Sequence, residues 1–331
     1  MAQILDRPPR WVLLACTLLL FNIWSNSFIA IAYLLGRDGA PQRFDWIGLT
    51  VARFLTAAVL CAVYCFGFRF RDSMALLRSH APRLLACGAL AVPAYNLALY
   101  YGQQHGVPAP VASLTTTLVP LFVMLLAAAT LGERITTARV AGFAVAAVGM
   151  GIIASSRKQG LEVAYPTLIA VTALAPLSWS GYSVLSKEPM RHTSPVLWTY
   201  LSIIAGTALV LPLGSLGAWR QWRELDPAAW GALLYLAVPC TVLGFLIWTW
   251  LLRHLPAATV GFTVFLNPPL TTTWKYVLSV AAPATFAFAV LPREWIGGAF
   301  TLAGLTIAVR GRPGRGTPAR RDLVDPGNGG S

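Results

Sequence analysis

Long apolar runs separated by short polar segments dominate this chain of 331 residues. Ten runs are long enough to cross a bilayer, whose hydrocarbon core needs about 20 residues of helix. They are residues 11–35, 46–67, 84–102, 108–130, 138–155, 165–186, 195–218, 228–251, 256–277 and 292–310. Backbone amides and carbonyls cannot stay unpaired in lipid, so each run must be helical. The pattern predicts an all-α integral membrane protein with ten transmembrane helices.

The apolar pattern repeats once along the chain. The string Leu90-Ala91-Val92-Pro93 returns as Leu236-Ala237-Val238-Pro239. Further matches in the same order are Trp24-Ser25 with Trp179-Ser180, Pro108-Ala109 with Pro256-Ala257, Pro120 with Pro268, and Gly142 and Gly149 with Gly297 and Gly304. A half with five spans has an odd number, so its second copy must be inserted upside down. We therefore expect two inverted five-helix repeats, residues 1–155 and 160–310, around a central cavity.

Composition supports lipid as the solvent for this chain. Hydrophobic residues make up 56% of it and charged residues 11%, whereas soluble domains carry about 25% charged residues. The formal net charge of +13 does not indicate a nucleic-acid partner, because the basic residues lie scattered between apolar runs. All five cysteines fall within apolar runs and lack metal-ligand spacing. Neither a metal nor a cofactor is expected.

Lysine and arginine residues set the expected orientation, because they are enriched in cytoplasmic loops. They are more numerous in the loops that share a side with the N terminus, so we expect both termini in the cytoplasm and the chain in the plasma membrane. The run 11–35 exceeds the roughly 7–15 residues of a signal-peptide core and is predicted to remain as a span. Residues 311–331 are predicted to be a disordered cytoplasmic tail.

Several motifs at these positions resemble those of a known family. They are Trp24-Ser25-Asn26, Arg53-Phe54, Leu131-Gly132-Glu133-Arg134 and His254-Leu255-Pro256-Ala257, with Pro108, Pro120 and Pro268. Through them, residues 11 to 310 resemble an EamA-type transporter of the drug/metabolite transporter superfamily. The resemblance implies a ten-helix carrier with a central cavity, which works by alternating access and exports an amino-acid-like or drug-like compound. The second half departs from the pattern at residues 278–291, which are predicted to form an interfacial segment or a partly re-entrant loop.

Polar and aromatic side chains inside the spans are the candidate solute contacts, because polar groups at this depth usually face a cavity or the bundle interior. Those selected recur at helical spacing on spans 1, 3, 4, 6 and 9. They are Asn22, Trp24, Asn26, Asn96, Tyr100, Gln103, Thr117, Trp179, Tyr182, Thr263 and Asn267. For the Asn and Thr residues the alternative is a hydrogen bond to a neighbouring helix or to their own backbone, without contact to a solute. For Tyr100 the alternative is a place in the aromatic belt at the membrane interface.

Arg53 is the one charged residue placed deep within a predicted span. A charge there is costly unless it is paired or reaches the interface. Two interpretations remain open at this point. Arg53 either anchors an anionic or carboxylate-bearing solute, or forms a structural bond to carbonyl groups at a helix end.

Prolines and glycines occupy matching places in the two halves. The prolines are Pro93, Pro120, Pro239 and Pro268. Each removes a backbone hydrogen bond, and we expect bends that shape the cavity or act in gating. The glycine pairs are Gly142 with Gly149 and Gly297 with Gly304, about two helical turns apart in each case. Such a pair marks a smooth face, used either for close helix packing or for the seam of a homodimer.

The sequence also bears on ion coupling and on other functions. The predicted spans carry no Asp or Glu at their middle, so we expect no proton coupling through a central carboxylate; Glu133 and His105 are the groups that would test this. A membrane enzyme would need clustered catalytic groups, and we find no paired acids, phosphate-binding loop or metal-spaced cluster. A non-transporting scaffold or receptor is the remaining alternative. The repeat favours a multi-pass carrier of a small-molecule solute in the lipid bilayer.

Overall fold

The computed structural model describes residues 8–36, 41–107, 109–155, 166–214, 216–281 and 290–310, and every regular element in these ranges is helical. The helices are α1 (Arg10–Leu34), α2 (Trp46–Phe68), α3 (Phe70–Gln104), α4 (Ala109–Thr116), α5 (Val119–Leu131), α6 (Thr137–Ser155), α7 (Pro166–Lys187), α8 (Pro195–Leu213), α9 (Leu216–Arg223), α10 (Pro227–His254), α11 (Ala257–Phe262), α12 (Asn267–Ala281) and α13 (Pro292–Arg310). A 3₁₀ turn, Thr263–Leu266, joins α11 to α12.

Seven helical segments among the described residues are long and apolar enough to cross a membrane. They are α1, α2, α3, the segment Leu114–Leu131, α6, α8 and α10. Large apolar side chains are exposed on the outside of the bundle, for example Trp11 at 71% and Val280 at 65%. Such faces are unfavourable in water and suit a lipid environment.

The structure changes the bounds of several predicted spans. The predicted span 84–102 is the second part of α3, which already begins at Phe70 and has an irregular residue, His80, just before Pro82. The predicted span 195–218 ends at Leu213, and the arginine-bearing segment beyond it forms the separate helix α9. The predicted tail 311–331 and most of the segment 278–291 lie outside the described residues.

The four predicted prolines fall into two kinds. Pro93 and Pro239 lie inside α3 and α10, within the π-helical turns Leu90–Ala94 and Leu236–Leu243. Pro120 and Pro268 instead stand at the starts of α5 and α12. The first amides of a helix have no intrahelical partner, so a proline there loses no backbone hydrogen bond. The expected loss at Pro120 and Pro268 is therefore wrong, because the helix is interrupted just before each of them.

The glycine faces of α6 and α13 pack against each other. A Cβ atom at Gly142 would lie 2.5 Å from the carbonyl oxygen of Gly304, and one at Gly149 would lie 2.5 Å from that of Gly297. The two helices therefore run antiparallel with their backbones in close contact. This confirms the packing interpretation of the glycine pairs, since each face is filled within one chain. A homodimer stays a prediction.

Ion pairs join the two halves at opposite ends of the bundle. Arg43 Nη2 lies 2.8 Å from Asp226 Oδ2, and Arg83 Nη1 lies 2.6 Å from Glu188 Oε2. Hydrogen bonds from Arg43 lower the pKa of the Asp226 carboxyl. We call the side with Arg43 and Asp226 the Asp226 face, and the side with Arg83 and Glu188 the Glu188 face.

Candidate solute site

A cavity lies inside the bundle and is partly open to solvent. Its lining comes from both halves and consists of Trp24, Ser27, Phe28, Ile31, Arg53, Tyr95, Leu99, Thr116, Val119, Trp179, Phe245, Val264 and Asn267. Ser27, Phe28 and Ile31 belong to the second half of α1, which ends near Arg43. The cavity therefore lies toward the Asp226 face.

Aromatic rings form the wall of the cavity on the side of the Glu188 face. The rings of Trp24 and Trp179 are 5.4 Å apart and nearly perpendicular, and Phe245 lies 4.8 Å from Trp179. Trp24 is held by a hydrogen bond of 2.9 Å from its Nε1 to the carbonyl oxygen of Cys240. Trp248 lies behind these rings, fully buried, 5.6 Å from both tryptophans. This stack closes the cavity toward the Glu188 face.

Beyond the stack, two charged side chains hold the turn between α10 and α11. Glu133 Oε1 accepts a hydrogen bond of 2.6 Å from the amide of Ala257, and Oε2 accepts one of 3.3 Å from Ala258. Lys187 Nζ donates to the carbonyl oxygens of Leu252 and Leu255. A carboxylate suits amides at a helix start and an ammonium suits carbonyls at a helix end. Both charges are thus satisfied where the bundle is closed.

Arg53 extends from α2 to the cavity and is held by three neutral side chains. Its Nε donates to Thr241 Oγ1 at 2.8 Å, and its Nη1 donates to Tyr100 OH at 2.5 Å and to Asn96 Oδ1 at 3.4 Å. The guanidinium carbon also lies 5.1 Å from the ring centre of Phe54. Within the described part of the chain, no group accepts a hydrogen bond from Nη2. The interpretation in which helix-end carbonyls hold Arg53 is therefore wrong.

The charge of Arg53 has no carboxylate partner among the described residues, whose ion pairs all involve other groups. Arg53 is 6% exposed, and it is the one charged member of the cavity lining given above. A buried charge without a partner is costly in a low dielectric. The cavity therefore presents a site that an anionic group would stabilise.

Asn267 supplies a second unsatisfied polar group in the same cavity. It is 6% exposed and lines the cavity, yet its side-chain oxygen Oδ1 has no hydrogen-bond partner. Buried polar atoms without a partner are rare in native structures and point to a missing ligand or water. The cavity thus holds a cation and a hydrogen-bond acceptor beside aromatic rings.

Four of the predicted solute contacts line the cavity: Trp24, Arg53, Trp179 and Asn267. Asn96 and Tyr100 stand behind it and bind Arg53. Tyr182 is fully buried behind Trp179, with ring centres 5.2 Å apart. Asn96, Tyr100 and Tyr182 therefore support the residues that line the cavity and do not line it themselves.

The other predicted contacts do not line the cavity. Four of them bond to the backbone one turn earlier, which is the alternative that the sequence left open: Asn22 to Leu18, Asn26 to Asn22, Thr117 to Leu114 and Thr263 to Val260. Asn22 Oδ1 accepts a hydrogen bond from Trp274 Nε1. Gln103 is buried, and neither of its amide atoms has a hydrogen-bond partner.

Sequence reasoning missed several lining residues, notably Tyr95, Phe245, Ser27 and Thr116. On α3 it selected the polar stripe of Asn96, Tyr100 and Gln103. The stripe of Tyr95 and Leu99, one residue earlier, is the one that lines the cavity. The aromatic side chain of Tyr95 was the available signal. Its position on the helix was decided by the neighbouring helices, which the sequence did not reveal.

Neither group named for proton coupling lines the cavity. Glu133 binds the start of α11, as described above. His105 stacks on Tyr101 with ring centres 4.0 Å apart, and its Nδ1 lies 2.8 Å from the Tyr101 carbonyl oxygen. The described lining contains no carboxylate.

A bundle of apolar helices around a polar and aromatic cavity defines a multi-pass membrane transporter of a small-molecule solute. The model of the EamA-like transporter family matches residues 10–155 and again residues 167–310. The chain therefore belongs to the EamA-like transporter family. This confirms the resemblance drawn from the motifs, and it assigns the chain to the transporters and not to the enzymes.

Similar proteins have names that refer to export. The chain is 31% identical, over 92% of its length and 94% of the relative, to a probable terminal-alkyne amino-acid exporter of Streptantibioticus cattleyicolor. It is 28% identical to a probable amino-acid metabolite efflux pump of Salmonella typhimurium, over 89% and 93% of the two chains. A crystal structure of a protein that is 21% identical superposes with a TM-score of 0.67 over 91% of this chain and 97% of the other, which shows the fold alone.

Proposed function

We propose that this chain exports an α-amino acid or a closely related zwitterion across the plasma membrane by alternating access. The single observation that carries the proposal is the uncompensated guanidinium of Arg53 in an aromatic cavity. A carboxylate is the natural ligand of such a group, because Arg donates to it through a planar fork of N–H groups. The export direction is supported by the names of the relatives.

The proposed architecture consists of ten spans in two inverted halves, residues 1–155 and 160–310. Beyond the seven long apolar segments, it uses α7, α11 with α12, and α13 as the remaining spans. The glycine contacts support inversion. Under the repeat, Gly142 corresponds to Gly297 and Gly149 to Gly304, so the contact of Gly142 with Gly304 becomes that of Gly297 with Gly149. A two-fold axis in the membrane plane produces this exchange.

The proposed orientation has both termini and the Glu188 face in the cytoplasm. The cavity then opens away from the cytoplasm, and this structure corresponds to the outward-facing state. Binding from the cytoplasm requires release of the α10–α11 turn and separation of the aromatic stack. We propose exchange or facilitated movement of the solute, since the described lining offers no carboxylate as a proton relay.

The cavity offers a partner for each part of a zwitterion. The solute carboxylate binds Nη2 of Arg53. The ammonium donates to Asn267 Oδ1 and lies against ring faces, which attract cations. An apolar side chain packs against Trp24, Trp179 and Phe245, where burial contributes about 25 cal/mol per Å². A solute without a carboxylate lacks the contact with Arg53, which contributes most to the binding free energy.

Counterflow in proteoliposomes tests the proposal. Vesicles loaded with unlabelled L-phenylalanine are expected to accumulate the labelled amino acid, and L-phenylalaninamide is expected to compete weakly. Arg53→Gln is expected to reduce accumulation about 100-fold, since a charge-assisted pair in a desolvated site is lost. Arg71→Gln, at an exposed arginine at the start of α3, is the matched control and should transport normally.

The proposal fails on either of two results. Equal competition by the acid and the amide would show that no carboxylate is recognised. Normal counterflow in Arg53→Gln, at an expression level equal to that of Arg71→Gln, would remove Arg53 from the site. A panel of amino acids with aliphatic and aromatic side chains then defines which apolar group the rings accept.

A further inference from the structure

The repeated Leu-Ala-Val-Pro strings form wide helical turns that anchor one side chain each. Proline has no amide hydrogen, and the chain widens to a π-helical turn around it. Asn96 Nδ2 donates to the carbonyl oxygens of Ala91 at 3.1 Å and of Val92 at 3.0 Å, and Thr241 Oγ1 donates to that of Leu236 at 2.8 Å. The bonds to Ala91 and Leu236 reach back five residues, and the second bond of Asn96 reaches back four. In the regular helix α8, Thr199 reaches back four, to Pro195.

Both anchored side chains turn their acceptor atom toward Arg53. Thr241 Oγ1 accepts from Nε at 2.8 Å, and Asn96 Oδ1 accepts from Nη1 at 3.4 Å. One of them comes from the first half of the chain and the other from the second. The guanidinium is therefore held between the two proline turns, and its remaining Nη2 has no described acceptor.

We propose that Asn96 and Thr241 are positioning residues, which hold the Arg53 guanidinium so that its Nη2 meets the carboxylate of the solute. This inference rests on the function proposed above. It gives the two prolines a role other than gating: each widens its turn, and the widened turn orients a side chain that binds Arg53.

Two physical reasons favour neutral positioning residues. An arginine side chain has several rotatable bonds, and fixing it before binding lowers the entropy cost when the solute arrives. A hydroxyl and an amide oxygen accept its N–H groups without cancelling its charge, whereas a carboxylate would compete with the solute. The neutral acceptors thus bind some of the guanidinium N–H groups and leave its positive charge to attract the solute.

Binding affinity provides the first test. The dissociation constants of L-phenylalanine and L-phenylalaninamide are measured on the purified full-length protein. Thr241→Val keeps the shape and removes the hydroxyl, and it is expected to weaken binding of the acid about tenfold with little effect on the amide. Thr241→Ser restores the hydroxyl and is expected to bind within about twofold of the wild type. Asn96→Leu is expected to behave like Thr241→Val.

A nuclear magnetic resonance experiment provides a second test without any solute. Protein labelled with ¹⁵N-arginine gives a side-chain Nε–H signal for Arg53, which is assigned by its absence in Arg53→Lys. In the wild type and in Thr241→Ser this hydrogen is expected to exchange slowly with water, because it donates to the hydroxyl. In Thr241→Val its exchange is expected to be at least about tenfold faster.

The two tests separate the inference from the proposed function. If the wild type does not distinguish acid from amide but Nε–H protection follows the Thr241 hydroxyl, the positioning stands and the carboxylate substrate is wrong. If Arg53→Gln abolishes discrimination, Thr241→Val and Asn96→Leu leave it unchanged, and Thr241→Val also leaves Nε–H protection unchanged, the substrate stands and the positioning inference is overturned. Unchanged protection in Thr241→Val with no discrimination in the wild type overturns both.

Discussion

The two sides of the aromatic stack differ in how buried charges are paired: on the side of the Glu188 face they are paired, and on the cavity side they are not. At the closed side, Glu133 binds helix-start amides and Lys187 binds helix-end carbonyls, so each charge meets groups of opposite polarity. At the cavity side, Arg53 meets a hydroxyl, an amide oxygen and a phenol, which leave its charge in place. In a membrane protein an unmatched buried charge is costly. The two kinds of environment therefore separate residues that close the bundle from those that we propose bind the solute.

The largest effect is expected when a carboxylate is introduced beside Arg53 and pairs with its charge. Asn96→Asp introduces a carboxylate next to Nη1, and the protein then carries an internal competitor for the solute. Counterflow of L-phenylalanine is expected to fall about 100-fold. Asn96→Leu is the matched variant, since it removes the same amide without adding charge, and it should lose about tenfold. Equal losses in the two variants would contradict the charge argument.

A second, smaller effect is expected when the closed side loses a charge. Glu133→Ala leaves the amides of Ala257 and Ala258 without their acceptor, and we expect the state open to the Glu188 face to become about tenfold more populated. Cys87, which is buried beside Ser186, reports this as faster maleimide labelling once the other four cysteines are replaced.

The matched control for this prediction is Glu224→Ala, which removes an exposed carboxylate between α9 and α10. Its labelling rate at Cys87 should equal that of the parent protein. If Glu133→Ala labels no faster than Glu224→Ala, Glu133 does not contribute to closure.

A third effect concerns stability and leaves both charge arrangements intact. Gly149→Ala would place a Cβ atom 2.5 Å from the carbonyl oxygen of Gly297 and should force α6 and α13 apart. We expect a loss of about 1–3 kcal/mol, measured as a lower Tm in detergent micelles. Gly151→Ala lies on the same helix with nothing within 4 Å of the added atom, and its Tm should be unchanged or higher. Equal Tm values would contradict the antiparallel glycine contact.

The smallest effect is expected at the exposed ion pairs. The side chains of Arg83 and Glu188 are 40% and 50% exposed, and solvent screens their attraction. Arg83→Gln is expected to change stability by less than about 1 kcal/mol and to leave counterflow unchanged. A large loss of transport in this variant would show that charges at the faces, and not only those near the cavity, control the cycle.

Hydropathy and the repeat predicted most of the fold, because lipid enforces helices and the apolar runs are long. The sequence placed α1, α2, α6 and α13 within a few residues of their observed ends. It missed the full extent of α3, because residues 70–83 are polar and lie outside the apolar run. It also missed the interruption before Pro120, since the run 108–130 carries no charged residue that would mark a break there.

Fewer features of the site than of the fold could be predicted from the sequence. Arg53 and Asn267 stood out as polar groups in apolar spans, and Trp24 and Trp179 stood out through the repeat. Phe245 gave no such signal, because a phenylalanine in an apolar run resembles its neighbours. The roles of Asn96 and Tyr100 depend on contacts between α2 and α3, and the role of Thr241 depends on the widened turn at Pro239. These relations follow from tertiary packing.

An experimental structure with bound 4-bromo-L-phenylalanine would show whether Arg53 binds the solute carboxylate, since the bromine can be located independently. We expect the solute carboxylate within hydrogen-bonding distance of Arg53 Nη2 and the bromine among the rings of Trp24, Trp179 and Phe245. A bound solute whose carboxylate points away from Arg53, or which lies outside this cavity, would contradict it.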